Sequence, residues 1–381
     1  MKIRLRSDGR YQISLYLGKT ADGKEIRRVV YGKTQKEAPA KADALKIKYC
    51  KGIDPAAERE SFAVWTDRWL SIKKAEVSLA QFRLCAARAA VFTERLGRIR
   101  LSDISIADLQ TVINDLAFEN PRTGKPTAKN TLKSYKQVAS QIFAFAIQAR
   151  AVDYNPAEYI RLPQNAPCKA RTAVSHDIIL LIDKTPHRAK TAAYLMLYAG
   201  LRRGEVAALT WSDIDFAHKA IAINKAVTYK TDKPEIKSPK TEAGRRVIPM
   251  PDKLADYLSS LPRTSTLVVT SASGRQMTEQ AWKRLWESYL KTLNETAYNE
   301  IMPSRSKYHP SGIPMIIPEF TPHCLRHTYC TMLYEAGVDA LAAQKIMGHS
   351  DIKTTLGVYT HLSKSHSAVQ AERLNSFLNG S

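Results

Sequence analysis

The sequence lacks the cysteine pattern of a disulfide-stabilised protein or of a zinc site. Its five cysteines are an odd number, and no two of them form a CxxC pair. Cys324 and Cys330 lie near two histidines, but their spacing with His323 and His327 matches no usual zinc-ligand pattern. We therefore expect structural cysteines in a reduced, cytoplasmic setting and no bound metal.

Long apolar stretches are missing too. No run of 18 apolar residues appears, and the first residues are polar and basic rather than those of a secretory signal. We therefore expect no membrane-spanning segment. The sequence also contains no Walker loop and no cluster of carboxylates, so nothing in it indicates an ATP-dependent or metal-assisted reaction, and we expect no cofactor.

Acidic residues are too few to balance the basic ones. The 381 residues include 58 Lys+Arg and 36 Asp+Glu, which gives a net charge of +22. The excess is spread along the chain, and the hydrophobic content of 44% is that of a globular protein. A polyanion, most often nucleic acid, is the natural partner of such a chain. A merely soluble cationic protein is the alternative.

Residues 1–51 predict a small basic domain with a β-hairpin and one helix. Thr34 is the expected N-cap of the helix, with Glu37 as its third residue. The block contains 14 basic and 5 acidic residues, so its strands suit a DNA groove; a structural hairpin with solubilising charge is the alternative. The predicted strands are residues 11–17 and 25–31, the turn is residues 21–24, and the helix spans residues 34–51.

Residues 58–163 predict an all-α domain, which follows a linker at residues 52–55. Its apolar stripes, which include aromatic residues, are typical of a core. Lys129, Lys133 and Lys136 on the last helix face either phosphates or solvent. The first helix starts after Ser61 with a stripe of Phe62, Trp65, Trp69 and Ile72, and the others span residues 79–96, 103–118 and 127–150. The stripe of the last helix is Leu132, Tyr135, Val138, Ile142 and Phe145.

Residues 169–381, after a second linker at residues 162–167, predict a mixed α+β domain. A strand over residues 220–229 is expected to pair with residues 246–249, and a polar, basic loop lies between them. Residues 299–319 contain four prolines and predict a long surface loop, to which no role is assigned. The fold class is therefore multidomain, with a β-sheet-plus-helix domain, an all-α domain and an α+β domain.

Arg202 is predicted to lie at a corner between two helices. An apolar helix over residues 192–197 ends at Gly200, and a new helix begins at Arg203. The guanidinium of Arg202 can reach outward there, and the N-terminus of the next helix favours an anion. Glu205 is placed to orient Arg202, although an ordinary intrahelical Arg–Glu pair is the alternative.

A second segment that carries residues suited to phosphate chemistry begins at Thr321. Thr321 and Pro322 predict a helix start, and the i,i+3 spacing of His323 and Arg326 puts both on one helix face. Each feature is common by itself.

Downstream, His349 lies in a turn, and Tyr359 follows ten residues later. Arginine forks hold phosphate oxygens, tyrosine is a nucleophile, and histidine or lysine moves protons. With Lys240 and the two arginines, the set has what metal-free attack on a phosphodiester needs.

In this order and spacing, the motifs resemble the tyrosine recombinase (phage integrase) family. The matching segments are AGLRRGEVAALTW around Arg202, KTEAGRRVIP around Lys240, TPHCLRHT around His323 and Arg326, MGHS around His349 and TTLGVYTHL around Tyr359. The resemblance covers residues 169–363. Residues 58–150 are similar to the family's core-binding domain, and residues 1–51 to the arm-binding domain of integrases from conjugative transposons and temperate phages.

The resemblance implies a role for each site residue. Tyr359 would attack the scissile phosphate and form a 3′-phosphotyrosine, which releases a 5′-hydroxyl. Arg202 and Arg326 would stabilise the charge on the pentacoordinate phosphorus, and His323 and His349 would hydrogen-bond the phosphate.

It also implies the proton transfers. His323 would help to deprotonate Tyr359, and Lys240 would protonate the leaving 5′-oxygen. Glu205 would support Arg202.

The resemblance further implies an integrase that recombines attachment sites in double-stranded DNA as a homo-tetramer. It would integrate or excise a mobile element or prophage in the bacterial cytoplasm, on the nucleoid, with an excisionase or a host DNA-bending protein as candidate accessory partners. A resolvase or type IB topoisomerase with the same chemistry, or a non-catalytic DNA-binding regulator, are the alternatives. Residues 1–51 favour the integrase, and the complete residue set argues against the regulator.

The tail beyond Tyr359 predicts an apolar helix. Family members exchange such a tail within a tetramer, so we expect residues 366–381 to dock on a neighbouring subunit; docking on the chain's own core is the alternative. The apolar face consists of Ala368, Ala371, Leu374, Phe377 and Leu378.

Overall fold

The computed structural model describes most of the chain and divides it into two compact units. These units are Met1–Lys169 and Ala170–Ser381. The described residues are 2–19, 25–50, 54, 57–168, 172–230, 232–238, 244–302 and 313–363.

The first unit begins with a three-stranded antiparallel sheet and a helix. The strands are β1 (Ile3–Leu5), β2 (Tyr11–Lys19) and β3 (Glu25–Gly32), in the order β1-β2-β3, and helix α1 spans Glu37–Cys50. The two predicted strands are confirmed, β1 was not predicted, and the turn at residues 21–24 lies outside the described residues. The Thr34 hydroxyl accepts the expected hydrogen bond from the Glu37 backbone N–H at 3.1 Å, but the helix begins at Glu37, three residues later than predicted, because residues 33–36 form a bend and a turn.

The rest of the first unit is a bundle of four helices around an apolar core. The helices are α2 (Phe62–Glu76), α3 (Leu79–Leu96), α4 (Ile106–Phe118) and α5 (Lys129–Gln148). Its core cluster is separate from the small cluster of Ile13, Ala38 and Ala42 under the sheet. We keep residues 1–51 and 58–163 as proposed domains for this reason.

Three predictions for these helices need correction. Ile72 is exposed, so the stripe of α2 ends at Trp69. Helix α4 starts three residues later than predicted, because Ser105 and Asp108 form a reciprocal capping box there. Lys136 donates hydrogen bonds to the backbone carbonyls of Glu158 and Ile160, at 2.9 and 2.7 Å, so its ammonium binds the protein itself as well as facing outward.

The second unit contains eight helices in its described part. None of the helices described in either unit is both long and apolar enough to cross a membrane. The helices are α6 (His176–Lys184), α7 (Lys190–Tyr198), α8 (Arg203–Ala208), α9 (Asp252–Ser259), α10 (Glu279–Ile301), α11 (Pro322–Glu335), α12 (Ala340–Met347) and α13 (Ile352–Ser363).

In the described part of this unit, five strands accompany these helices and form two small sheets. The predicted pairing of residues 220–223 with residues 246–249 is confirmed, in register Ile221–Ile248. The prediction of one strand over residues 220–229 was wrong, because Asn224 and Lys225 turn their side chains to the buried carboxylate of Asp213 and interrupt it. The strands are β4 (Ile214–Asp215), β5 (Ala220–Ile223), β6 (Ala226–Lys230), β7 (Lys233–Lys237) and β8 (Arg246–Pro249), with β4-β5-β8 in one sheet and β6-β7 in the other.

The proline-containing segment before α11 begins later than predicted. Helix α10 continues to Ile301, and residues 303–312 lie outside the described part. Asn294 holds the following chain, because its side chain accepts from the Ile316 N–H at 2.7 Å and donates to the Pro314 carbonyl at 2.9 Å.

Candidate active site

Arg202 lies at the predicted corner between α7 and α8. Gly200 has φ +63°, a left-handed conformation that glycine adopts without steric cost and that ends the helix before it. Arg202 is then the extended N-cap residue of α8. Its side chain is 38% exposed, so the guanidinium reaches the surface from this corner.

Glu205 binds Arg202 and is almost fully buried. Its two carboxylate oxygens accept hydrogen bonds from the Arg202 backbone N–H and from Arg202 Nη1, both at 2.8 Å. Burial by itself raises the pKa of Glu205, but the hydrogen bonds and charges of Arg246 and Arg202 outweigh it and lower the pKa to about 2. Glu205 is therefore a carboxylate at neutral pH, as its predicted supporting role requires.

Arg246 is a member of this cluster that the sequence analysis missed. Its guanidinium makes two parallel hydrogen bonds to Glu205, at 2.8 and 3.0 Å. The missed signal is strand alternation, since Arg246 lies on the same side of β8 as Ile248, which is buried, and opposite to the exposed Val247.

Arg326 extends from α11 into the centre of the same cluster. The residue is 2% exposed, and its guanidinium donates to the backbone carbonyls of Gly200 and Met347. Burial, and then the charge of Arg202, lowers the pKa of Arg326 to about 9, which leaves it charged at neutral pH. His323, one turn earlier, is exposed at the start of the helix, where Thr321 is the N-cap as predicted.

Three arginines converge on the C-terminal end of α12. Its last carbonyl groups carry the negative end of the helix dipole, which attracts cations. The Ile346 carbonyl accepts from Arg246 Nε at 2.8 Å, and the Gly348 carbonyl accepts from Arg202 Nη2 at 2.6 Å. The Met347 carbonyl between them accepts from Arg326. Three consecutive carbonyls thus hold three guanidinium groups together, although the arginines belong to separate segments: the N-cap of α8, strand β8 and helix α11.

His349 follows directly in the turn between α12 and α13. Its Nδ1 lies 2.9 Å from the hydroxyl of Thr355, a fully buried residue on α13. Burial, and then the charges of Arg326 and Arg202, lowers the pKa of His349 to about 4. The imidazole is therefore neutral at pH 7 and lies within the electrostatic reach of the arginines.

Tyr359 lies on α13, one turn after Thr355, and is buried against α11. The residue is 8% exposed and packs with Tyr334, with ring centroids 4.8 Å apart. Its hydroxyl donates to the Val338 carbonyl at 3.1 Å, so the structure does not bring this hydroxyl to the arginines.

Lys240, the remaining predicted site residue, lies outside the described residues. Among the residues that are described, no three His, Cys, Asp or Glu side chains form a group able to hold a metal ion.

A second basic feature, a cleft lined by four arginines, lies in the first unit. Arg28 pairs with Glu58 at 3.1 Å and Arg27 pairs with Glu25 at 2.9 Å, so two of its four positive charges are offset. Such a cleft suits a phosphate group. It is lined by Arg27, Arg28, Val29, Arg59 and Arg100.

Comparison with known proteins identifies related sequences along the whole chain. Residues 172–366, just over half of the chain, match the model of the phage integrase family. A tyrosine recombinase XerC-like protein from Caldanaerobacter subterraneus subsp. tengcongensis is 26% identical, over 96% of this chain and 95% of that protein. The ICEBs1 integrase of Bacillus subtilis is 23% identical, over 99% of this chain and 100% of that protein. The transposase from transposon Tn916 of Enterococcus faecalis is 27% identical, over 65% of this chain and 62% of that protein.

Solved structures share the fold. The integrase of transposon Tn1549, in complex with transposon right-end DNA, superposes with a TM-score of 0.65 at 21% identity, over 83% of this chain and 99% of that one. A lambda integrase tetramer bound to a Holliday junction gives a TM-score of 0.53 at 17% identity, over 92% of this chain and 95% of that one. The helix-rich architecture with small sheets is that of multidomain integrases.

Proposed function

The chain belongs to the phage integrase family, and on this basis we propose what each part of it does when DNA is cut and rejoined. It is a tyrosine recombinase, an enzyme that cleaves DNA strands and rejoins them. We propose attachment sites in double-stranded DNA as its substrate, at the ends of a mobile element or prophage. The likeness to the ICEBs1 integrase over 99% of this chain, which leaves room for almost all of residues 1–51, supports this substrate.

The proposed reaction is a transesterification by Tyr359. The phenolic oxygen forms a bond to the phosphorus while the bond from phosphorus to the 5′-oxygen breaks, which leaves a 3′-phosphotyrosine and a 5′-hydroxyl. The phenol loses its proton with help from His323, and Lys240 gives a proton to the leaving oxygen. Rejoining is the reverse attack by a 5′-hydroxyl, so the linkage keeps the bond energy and no cofactor is needed.

The arginine cluster at the end of α12 is the observation that carries this proposal. Arg202 and Arg326 hold their guanidinium groups in fixed positions through backbone carbonyls and Glu205, so little reorganisation is needed when charge develops on a phosphate. His349, neutral and next to them, is suited to donate a hydrogen bond to the same phosphate.

Tyr359 must change its position before it attacks. In the described conformation its hydroxyl bonds to Val338, and the groups that act on its pKa do not include the arginines. We therefore propose that α13 moves when DNA binds and brings the hydroxyl to the phosphate.

A nicked suicide duplex tests the proposed chemistry. DNA taken from both sides of the gene supplies candidate attachment sites, and a nick near the cleavage point lets the short 5′-hydroxyl strand diffuse away. The wild-type protein is expected to form a covalent adduct, and Tyr359→Phe to form none while it still binds the duplex. An adduct that persists in Tyr359→Phe would remove Tyr359 as the nucleophile.

We assign DNA binding outside the active site to the first unit. Residues 1–51 would bind arm-type sites and residues 58–163 the core site, which the arginine-lined cleft between strand β3 and the helical bundle supports. A homo-tetramer on two duplexes is the proposed assembly, because lambda integrase forms a tetramer on a Holliday junction. An excisionase or a host DNA-bending protein is the proposed accessory partner, on nucleoid DNA in the bacterial cytoplasm.

The tail at residues 366–381 lies outside the described residues, and we propose that it docks on a neighbouring subunit. Deletion of these residues should leave cleavage by single protomers intact and weaken tetramer formation on DNA. Tetramers that form equally well without the tail, in native gels or by light scattering, would contradict trans docking.

Resolution of multimers is the second candidate function, because the XerC-like protein is similar over nearly the whole chain. Deletion of the gene separates the two functions. Loss of the excised circle and its junction indicates an integrase, whereas accumulation of replicon multimers indicates a resolvase.

A further inference from the structure

Arg246 is a charged residue inside the protein, at the first position of β8. Its side chain is 5% exposed, and its strand neighbour on the same face, Ile248, is fully buried. A buried guanidinium is costly unless hydrogen bonds satisfy it. The contacts of Arg246 therefore indicate what the residue is for.

All three nitrogens of the Arg246 guanidinium donate to groups of the active site. Nη1 and Nη2 bind the two oxygens of Glu205, and Nε binds the Ile346 carbonyl. The first two bonds form the bidentate fork that fixes the plane of a carboxylate. The third bond attaches the same rigid group to the end of α12. One side chain thus joins β8, α8 and α12.

Glu205 passes this restraint to Arg202. Each of its oxygens accepts one hydrogen bond from Arg246 and one from Arg202, so the carboxylate lies between the two arginines with four bonds in all. Loss of Arg246 would leave Glu205 buried with half of these bonds, and only Arg202 itself would then hold the carboxylate. The guanidinium of Arg202 would then lose its fixed support.

We propose that Arg246 is a positioning residue for DNA cleavage, which aligns Arg202 through Glu205 and the His349 turn through the Ile346 carbonyl. The inference rests on the proposed function, since it concerns the same site. The Arg246 side chain is 5% exposed and its three nitrogens bind protein groups, so we infer that it acts through the residues that it holds. Lysine cannot replace it, because a single ammonium cannot donate to both oxygens of Glu205 and to a third group in this fixed geometry.

Two variants and a matched control test the proposal. Arg246→Lys keeps the charge and loses the fork, whereas Arg246→Met removes both. Lys225→Met is the control, because it also removes the cationic partner of a buried carboxylate, Asp213, at 2.7 Å, without contact to the arginine cluster. The measurements are the single-turnover rate of adduct formation on the suicide duplex, the affinity for the intact duplex, and the melting temperature.

Both Arg246 variants should cleave about 100-fold more slowly, because a small misplacement of a catalytic group has an effect of this size. Their affinity for DNA should stay near that of the wild type. Lys225→Met should lose thermal stability and keep its cleavage rate at temperatures where it is folded. If Arg246→Met does not fold, the cleavage rate of Arg246→Lys alone tests the positioning role.

A double-mutant cycle separates positioning from general loss of stability. If Arg246 orients Arg202 only through Glu205, then Arg246→Lys should slow cleavage much less in a Glu205→Gln background than in the wild type. In Arg246→Lys, the loss of cleavage on the acid side of the pH–rate profile should also begin at a higher pH than in the wild type. The reason is that Arg246 is the main group that lowers the pKa of Glu205. A purely structural role would leave this profile unchanged.

The outcomes distinguish the inference from the proposed function. Absence of an adduct with the wild-type protein would count against the recombinase site as a whole. A normal adduct rate in folded Arg246→Lys would overturn the positioning role alone. Effects of Arg246 and Glu205 that simply multiply would overturn the alignment of Arg202 through Glu205.

Discussion

The hydroxyl of Tyr359 donates a hydrogen bond to the backbone carbonyl of Val338, at 3.1 Å. Burial, and then the nearby Cys330 and Asp339, raises the pKa of this phenol to about 12, further from neutrality than free tyrosine. The described conformation therefore holds the proposed nucleophile as a protonated phenol, and we expect activity to depend on how readily Tyr359 leaves this position.

Substitution of Tyr334 should make Tyr359 leave more readily. The Tyr334 ring packs on Tyr359, with ring centroids 4.8 Å apart. Tyr334→Leu removes this ring contact, worth about 1 kcal/mol, from the conformation in which Tyr359 bonds to Val338, and we expect no such loss in the conformation that attacks DNA. The rate of adduct formation should rise several-fold. Tyr257→Leu, which removes a ring contact with Tyr194 at 4.3 Å, should not raise the rate. A slower Tyr334→Leu with normal stability would contradict this prediction.

Arg202→Lys should separate binding from cleavage. The ammonium keeps the positive charge but cannot bind Glu205, the Gly348 carbonyl and a phosphate together. We expect adduct formation to fall by about 100- to 1,000-fold, as for the loss of one preorganised donor, with DNA affinity nearly retained. Arg203→Lys is the adjacent control, since the exposed Arg203 pairs with Glu279 at 3.5 Å. Equal rates in the two variants would argue against the role of Arg202.

Gly200→Ala should strongly destabilise the second unit. The new Cβ would lie 2.3 Å from Cδ1 of Tyr329, at a residue whose φ of +63° already disfavours side chains. We expect the free energy of unfolding in urea to fall by about 2–5 kcal/mol. Gly274→Ala is the control, since its φ is +72° and no atom lies within 4 Å of the position that a Cβ would take, so only the backbone strain of about 1–2 kcal/mol remains. Equal losses would contradict the steric explanation.

Stability should fall in mild acid because of His349. The pKa of His349 is about 4 in the folded protein and 6.5 ordinarily, so between these values the unfolded chain binds the proton more readily. The stability that neutral His349 contributes is complete above pH 6.5 and is lost as the pH falls towards 4. His349→Gln should lose less stability over this window in urea titrations. The exposed His176→Gln should behave as the wild type, and identical curves for all three proteins would contradict the prediction.

The arginine-lined cleft should contribute to the salt dependence of DNA binding. If Arg59 and Arg100 each contact a phosphate, their double substitution by glutamine should reduce the slope of log affinity against log salt by about 2. A double substitution of Lys184 and Lys253 removes the same charge from the second unit and should leave the slope unchanged. Equal slopes in both double variants would show that only total charge matters.

Local sequence signals predicted the helix boundaries next to Arg202 and His323. The corner at Arg202 follows from a glycine that ends one helix and a residue that caps the next. The start of α11 likewise follows from Thr321 and Pro322. These features depend on neighbours within one helical turn, so the sequence carries them directly.

Contacts between distant segments were not predictable in the same way. Arg246 and Glu205 are 41 residues apart, and Tyr359 and Val338 are 21 apart. Neither pair follows from periodicity or capping, because packing of several elements brings them together. The interruption of the strand near Lys225 has the same origin, since Asp213 attracts that side chain from an earlier turn.

The carbonyls at the end of α12 are backbone groups. Binding of the arginines therefore depends on the direction in which the helix points these carbonyls, and not on which side chains the helix carries. A different side chain at position 346 would present the same oxygen to Arg246. One inserted residue in α12 would instead rotate the following carbonyls by about 100° and move all three partners out of line at once. Natural variation in this helix should therefore include substitutions at its exposed positions and exclude single-residue insertions and deletions.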